Sequence, residues 1–271
     1  MSERIAFIGG GNMATAIISG LIEQGQAPQD ISVVEPAADA RSQLQSALGV
    51  QVHTQASAEL ATAALVIWAI KPQHFKEATT PVISHTTQAL HLSVAAGIRS
   101  ESIARWLGTD RVIRAMPNTP ALIGKGITGL YARPGATAAD RALAARALAG
   151  TGEVLWLDAE DKLDVVTALS GSGPAYVFYF MEAMTIAGTE MGLSREQAHQ
   201  LAVATFAGAS ELARASSESP QVLRQRVTSK GGTTHAAIST MENDDVRALF
   251  IDAMYAARER AKQLADEFGA E

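Results

Sequence analysis

Three groups of residues in this 271-residue chain could do chemistry, and two of them combine residue types suited to holding anions. The first is Ile8-Gly9-Gly10-Gly11-Asn12-Met13-Ala14, with the pattern G-x-G-x-x-A at Gly9, Gly11 and Ala14. Gly9 permits a tight turn, Gly11 lets the main chain approach a pyrophosphate, and Ala14 lets a helix pack closely on a strand. The free N–H groups at that helix start, with Asn12 and Met13, then face phosphate from the positive end of the helix dipole. Glu35 follows Gly9 by 26 residues, at the end of a second strand. An acidic side chain there accepts hydrogen bonds from an adenine-ribose 2′-OH and repels a 2′-phosphate, which favours NADH over NADPH. Arg41, one turn into the next helix, suits a phosphate instead, and a merely solvated strand end is the plain alternative for Glu35.

The second string, Val227-Thr228-Ser229-Lys230-Gly231-Gly232-Thr233-Thr234-His235, is a polar glycine-rich loop just before a helix. Exposed main-chain N–H groups in such a place suit a carboxylate, although Thr233 and Thr234 could simply be helix N-caps. The third group lies between them. Ala69-Ile70-Lys71-Pro72 closes an apolar strand at the carboxyl edge of the sheet, where open α/β sheets bind ligands. Pro72 stops that strand, and Lys71 is either a catalytic acid or a surface cation. The alanines Ala95 and Ala96 leave room for a flat ring, and Asn118, between Pro117 and Pro120, offers a neutral polar contact. Each of these, taken singly, is also ordinary turn chemistry.

The elements that must position these residues are legible as periodic patterns. Residues 4–8, 31–34, 65–70, 89–94 and 111–115 read as short apolar strands, and 12–24, 38–48 and 100–107 as helices between them. Strands at 126–132 and 154–157 flank an alanine-rich helix at 138–148, which Thr137 and Asp140 cap. This alternation predicts an α/β fold, with an N-terminal Rossmann-type doubly wound parallel sheet. From Lys162 onward almost every pattern is helical. Ser194 with Gln197 forms a capping box, 215–220 is a loose loop, and 233–241 and 246–268 are closing helices. Ala183, Ala187, Gly188 and Gly192 would let helices approach closely, within one chain or between two. Leu169-Ser170-Gly171-Ser172-Gly173-Pro174-Ala175-Tyr176 should break or bend its helix. The expected division is a dinucleotide-binding domain over 1–161 and an all-helical substrate and dimerisation domain over 162–271.

Composition excludes several classes. The formal net charge is −6 and there is no Lys/Arg-rich run, which disfavours nucleic acid as a partner. The absence of cysteine excludes disulfides and thiolate metal sites, and no metal site is expected. The apolar stretch 5–10 is too short for a signal peptide, and no window of about 18 apolar residues spans a membrane. The expected location is the cytoplasm.

Together the strings FIGGGNMA, AIKP, AAGI, RAMPNTP, ALSGSGPAYVF and VTSKGGTTHAAI, in order along nearly the whole chain, resemble the pyrroline-5-carboxylate reductases, the last enzymes of proline synthesis. The resemblance implies hydride transfer from NADPH or NADH to the imine carbon of Δ1-pyrroline-5-carboxylate, giving L-proline. It implies that Ser229, Gly231, Gly232 and Thr233 hold the substrate carboxylate and that the Thr234 hydroxyl donates toward the imine nitrogen. It also places the AIKP segment and the alanines at 95 and 96 along the coenzyme cleft, and implies an intertwined homodimer, sometimes assembled into pentamers of dimers. Lys230 stands where the family usually has proline. His235 reads as a helix-start residue rather than an acid. A β-hydroxyacid dehydrogenase shares the two-domain plan, but it resembles its relatives in carrying a catalytic lysine on the first long helix of the second domain, and 170–184 contains no lysine. A non-catalytic dinucleotide sensor would have little reason to keep a Gly-Gly-Thr-Thr loop.

Overall fold

The computed structural model describes residues 3–269. The chain forms two compact units, Met1–Ser172 with Ala257–Glu271, and Gly173–Ala256. The first contains one eight-stranded sheet in the order β3-β2-β1-β4-β5-β6-β7-β8. Its strands are β1 (Ile5–Ile8), β2 (Ile31–Val34), β3 (Gln51–His53), β4 (Leu65–Trp68), β5 (Leu90–Ser93), β6 (Val112–Met116), β7 (Gly126–Ala132) and β8 (Gly152–Trp156). All pairs are parallel except β6 with β7. The connection 117–125 is shorter than the roughly dozen residues a parallel crossover needs, so the chain turns back on itself there.

The helices of this unit are α1 (Asn12–Glu23), α2 (Ala38–Leu48), α3 (Phe75–Ile83), α4 (Ser100–Leu107), α5 (Ala138–Leu148) and α6 (Lys162–Val166). They cover both faces of the sheet, which is why β1 and β4 are apolar at every position. Ile5, Phe7, Leu65 and Ile67 face Ile17 and Ile18 of α1 and Leu148 of α5. Ala6, Ile8, Val66 and Trp68 face Phe75 and Val82 of α3 and Ile103 and Leu107 of α4. The period of two along each strand divides one apolar run between two cores. Two elements are absent from the sequence reading. The three-residue edge strand β3 is too short to show a period, and α3 carries Pro81 inside it.

Thr137 and Asp140 form the expected capping box on α5. Arg111, from just before β6, adds a bidentate bond to the same carboxylate, at 2.6 Å through Nη2 and 3.0 Å through Nε. That bond, opposed by burial and aided by Thr137, holds the Asp140 carboxyl below its ordinary range.

The second unit contains α7 (Gly173–Glu190), α8 (Arg195–Ala215), α9 (Pro220–Arg226), α10 (Thr233–Asn243) and the first part of α11 (Val246–Gly269), whose residues from 257 onward belong to the first unit. Ser194 and Gln197 cap α8 reciprocally. Gly188 brings α7 against α8: a Cβ there would lie 2.8 Å from that of Ala198. At the string 169–176 the helix widens into a π turn over Thr167–Gly171, in which the Ser172 N–H reaches the Thr167 carbonyl at 2.8 Å, and α7 starts anew at Gly173.

His91, buried in β5, accepts the indole N–H of Trp68 at Nδ1, 3.1 Å away. Burial, with a smaller contribution from Arg111, lowers its pKa to about 4. The imidazole is therefore neutral in the fold, whereas the unfolded chain takes up a proton below pH 6.5. Stability from this group is complete above pH 6.5 and falls as the pH drops toward 4, by about 1.4 kcal/mol per unit and about 3 kcal/mol in all. Urea unfolding at one fixed protein concentration should show His91→Gln losing about 2 kcal/mol less than wild type between pH 7.5 and 5. An identical loss in both would remove His91 as the source.

Candidate active site

The parallel strands end in register: Ile8 lies beside Val34 and Trp68, Trp68 beside Ser93, and Ser93 beside Arg114. The residues after these ends are Gly9, Glu35, Ala69 and the segment leading to Ala95. One edge of one sheet therefore gathers the candidate coenzyme residues, with Asn118 four residues beyond Arg114.

Gly9 and Gly11 differ in what requires them. Gly9 has φ +95°, and a Cβ there would lie 2.5 Å from the Ala69 carbonyl oxygen. The fold itself demands this glycine, because the turn passes directly over the end of β4. Gly11 is the N-cap of α1, with extended backbone and open space where a Cβ would stand. Nothing in the chain requires a glycine there, so the requirement lies with whatever approaches from outside. No side chain caps α1 and its first turn carries no acidic residue, which leaves the N–H groups of Asn12 and Met13 to a bound anion. A diphosphate fits this end.

Glu35 is half-buried. Its carboxylate accepts the Gly10 N–H through Oε2 and the Ala37 N–H through Oε1, each at 2.9 Å. Arg41 donates to the carbonyls of Glu35 and Pro36 at 2.8 and 2.7 Å. The carboxylate thus shapes the glycine turn while keeping lone pairs for a ribose hydroxyl. Lys71 is exposed and precedes the short turn Pro72–His74. Ala95 is buried and Ala96 half-buried. The Asn118 side-chain oxygen accepts the Ile127 N–H at 3.0 Å, which leaves its amide NH2 group for other contacts.

Two residues at this edge escaped the sequence reading. Arg114, in the otherwise apolar strand VIRAM, is 6% exposed, and its guanidinium lies 2.6 Å from Glu160. Burial opposes ionisation of Glu160, but Arg114 and Ser100 outweigh it and hold the carboxyl below its usual range. A lone arginine in a buried strand was the available signal, since such a charge needs a partner.

The other candidates lie in the helical unit, in the loop between α9 and α10. Gly231 has φ +76°, and the Gly232 N–H bonds the Ser229 carbonyl at 3.0 Å. Gly232 is the N-cap of α10, with extended backbone, no side-chain cap and no acidic residue in the first turn. Thr233 and Thr234 are the first helical residues, and neither hydroxyl caps the helix, which answers the simpler reading of both threonines. Thr234 is half-buried; Ser229, Gly231 and Thr233 are exposed.

Residues 160–264 match the family described as "Pyrroline-5-carboxylate reductase dimerisation", and residues 4–97 match "NADP oxidoreductase coenzyme F420-dependent". A pyrroline-5-carboxylate reductase of Pseudomonas aeruginosa is 43% identical over 272 aligned residues, covering 99% of each chain. The chain belongs to the pyrroline-5-carboxylate reductase family. A solved family member from Coxiella burnetii superimposes with a TM-score of 0.91 at 38% identity, covering 98% of this chain and 99% of that one. The Plasmodium falciparum pyrroline carboxylate reductase, solved with NADP bound, shares the fold with a TM-score of 0.86 at 24% identity over 97% of this chain and 98% of its own. Among the described residues, no cluster of three or more potential ligands could hold a metal ion, and no helix is long and apolar enough to cross a membrane.

For this family member the two glycines are expected to separate fold from binding. Gly9→Ala should destabilise by about 3 kcal/mol or more, through positive φ and steric overlap together. Gly11→Ala should leave the melting temperature within about 2 °C while weakening coenzyme binding about 10- to 100-fold, or about 1.4 to 3 kcal/mol. Thermal melts with coenzyme titration check both; unaltered binding by Gly11→Ala would detach the coenzyme from this helix start.

Proposed function

We propose that the chain reduces Δ1-pyrroline-5-carboxylate to L-proline at the expense of NADH or NADPH, with the coenzyme along the sheet edge and the substrate on the loop before α10. The observation that carries this reading is the bare N-terminus of α10 in a chain of this family: two glycines, a serine and two threonines offer main-chain and hydroxyl donors where no side chain of α10 competes. When bound, the coenzyme supplies hydride from nicotinamide C4 to the imine carbon.

The protein's task is positioning. Ser229, Gly231, Gly232 and Thr233 hold the substrate carboxylate, fixing which ring carbon faces the coenzyme. Thr234 places a hydroxyl donor at the imine nitrogen, where a proton balances the charge that arrives with hydride. On the coenzyme side, Gly9, Gly11, Asn12 and Met13 take the diphosphate, Glu35 the adenine ribose, and Ala69, Lys71, Pro72, Ala95, Ala96 and Asn118 line the ring's cleft. The working division is a coenzyme domain over 1–161 and a helical substrate domain over 162–271, in the cytoplasm.

The same chain requires a second copy. Over 173–256 the buried residues are Thr185, Gly188, Ala198 and Ala202, all small. Phe178, Tyr179, Ile186, Leu201, Leu212 and Leu249 are each more than half exposed. A helical unit with no large buried side chain lacks a core of its own, and apolar area on this scale marks an interface. The homodimer is the proposed unit, with decamers of the kind the resemblance implies as its larger assembly; sedimentation velocity separates the two.

Two measurements test this. Thr234→Ala should keep coenzyme affinity and lower turnover about 10- to 1000-fold, as expected for a lost donor; unchanged turnover with pyrroline-5-carboxylate removes Thr234 from the mechanism. The unfolding midpoint should rise with protein concentration, because folding and association are one equilibrium in an obligate dimer. A concentration-independent midpoint would contradict that.

A further inference from the structure

The helix α4 begins at Ser100 without a cap from its own N-cap residue, Arg99. Its cap comes from across the fold. The Glu160 carboxylate accepts the Ser100 N–H at 2.6 Å through Oε1 and the Ser100 hydroxyl at 2.5 Å through Oε2. The same Oε1 accepts Arg114 Nη1 at 2.6 Å. Arg133 donates to the Ser100 hydroxyl from the other side, at 3.2 Å. Ser100 is fully buried. One carboxylate thus joins the strand that precedes Asn118 to the turn that carries Ala95 and Ala96.

The register tightens this joint. Ser93 and Arg114 are partners across β5 and β6, and the Ser93 hydroxyl accepts the Ala95 N–H at 3.3 Å. From Ser93 the chain runs through Ala95 and Ala96 to Ser100, so the turn is held at both ends. The far side is packed by the end of α11: Leu264 and Phe268 lie over Gly97, and Arg99 pairs with Asp266 at 2.8 Å. Asp164, buried nearby, feels Arg114, Arg99 and Lys262, yet burial raises its pKa. Glu160 is the carboxylate that meets Arg114 directly.

We infer that Glu160 is a positioning residue for the coenzyme: it holds the turn 94–99 and the end of β6 at the spacing the nicotinamide half requires, without itself touching the coenzyme. This rests on the assignment of Ala95, Ala96 and Asn118 to the coenzyme cleft. A residue that only stabilised the fold would lower the melting temperature and leave binding intact below it.

The test is coenzyme titration by fluorescence with steady-state kinetics, on the full-length chain well below its melting temperature. Glu160→Gln should raise the KM for the coenzyme the wild type uses by about tenfold, while kcat at saturating coenzyme and the KM for pyrroline-5-carboxylate stay within about threefold. Because Glu160→Gln leaves Arg114 buried without its anion, a second variant, Glu160→Met with Arg114→Met, removes both charges, a change that folds often tolerate. Its Ser100 N–H remains uncapped, so its coenzyme KM should stay raised. Equal coenzyme affinity in wild type and both variants, with only the melting temperature changed, overturns the proposal while leaving the cleft assignment standing. A wild type that binds neither NADH nor NADPH overturns the cleft assignment and this inference with it.

Discussion

The helix starts of α1 and α10, which carry neither a side-chain cap nor an acidic first turn, are the constraint on which the functional reading depends. A helix start exposes N–H groups that need partners, and most proteins supply them locally. This chain does so at α5, α8 and α9, where Thr137, Ser194 and Ser219 accept the orphan bonds. The starts of α2, α3 and α6 have no side-chain cap but carry an acidic residue in the first turn, whereas α1 and α10 have neither. Both of these begin after an extended glycine. An unsatisfied donor at the end of a dipole is costly to desolvate and favourable to pair with an anion, so both ends are prepared for negative charge. A diphosphate and a carboxylate are the kinds of group that such helix starts accept.

The rest of the first unit serves to hold the first of these ends still. Strands buried on both faces fix the positions at which they stop, and the connections that follow inherit that precision. Three carboxylates then set the connections. Glu35 bonds the middle of the glycine turn, Asp140 ties α5 to the start of β6 through Arg111, and Glu160 ties α4 to β6 through Arg114. The helical unit is built on a different principle. Its helices α7 and α8 meet at Gly188 and Ala198, while many large apolar side chains stay exposed. Its rigidity has to come from association.

Much of this was legible in the sequence because it is periodic or local. The bounds of α2, α4, α5 and β7 coincide with the pattern, and both capping boxes could be read from residue type and spacing alone. The candidate residues at the sheet edge were recognisable because each follows an apolar run. What escaped was either too short or non-local. The edge strand β3 has three residues, α3 hides behind Pro81, and the reversal at β7 is a matter of connection length rather than residue type. The Arg114–Glu160 pair spans 46 positions, and no local pattern indicates which carboxylate a buried arginine will find. The threonines of α10 could be read as caps or as ligand donors until the backbone showed Gly232 in the capping position.

The most direct measurement is a crystal structure with NADPH or NADH and L-proline bound together. The account predicts the coenzyme diphosphate on the N–H groups of Gly11, Asn12 and Met13, and the proline carboxylate on Ser229 and the main chain of Gly231–Thr233. The Thr234 hydroxyl should then lie within hydrogen-bond reach of the ring nitrogen. A proline carboxylate bound elsewhere, or a Thr234 hydroxyl remote from the proline nitrogen in every subunit, would contradict it.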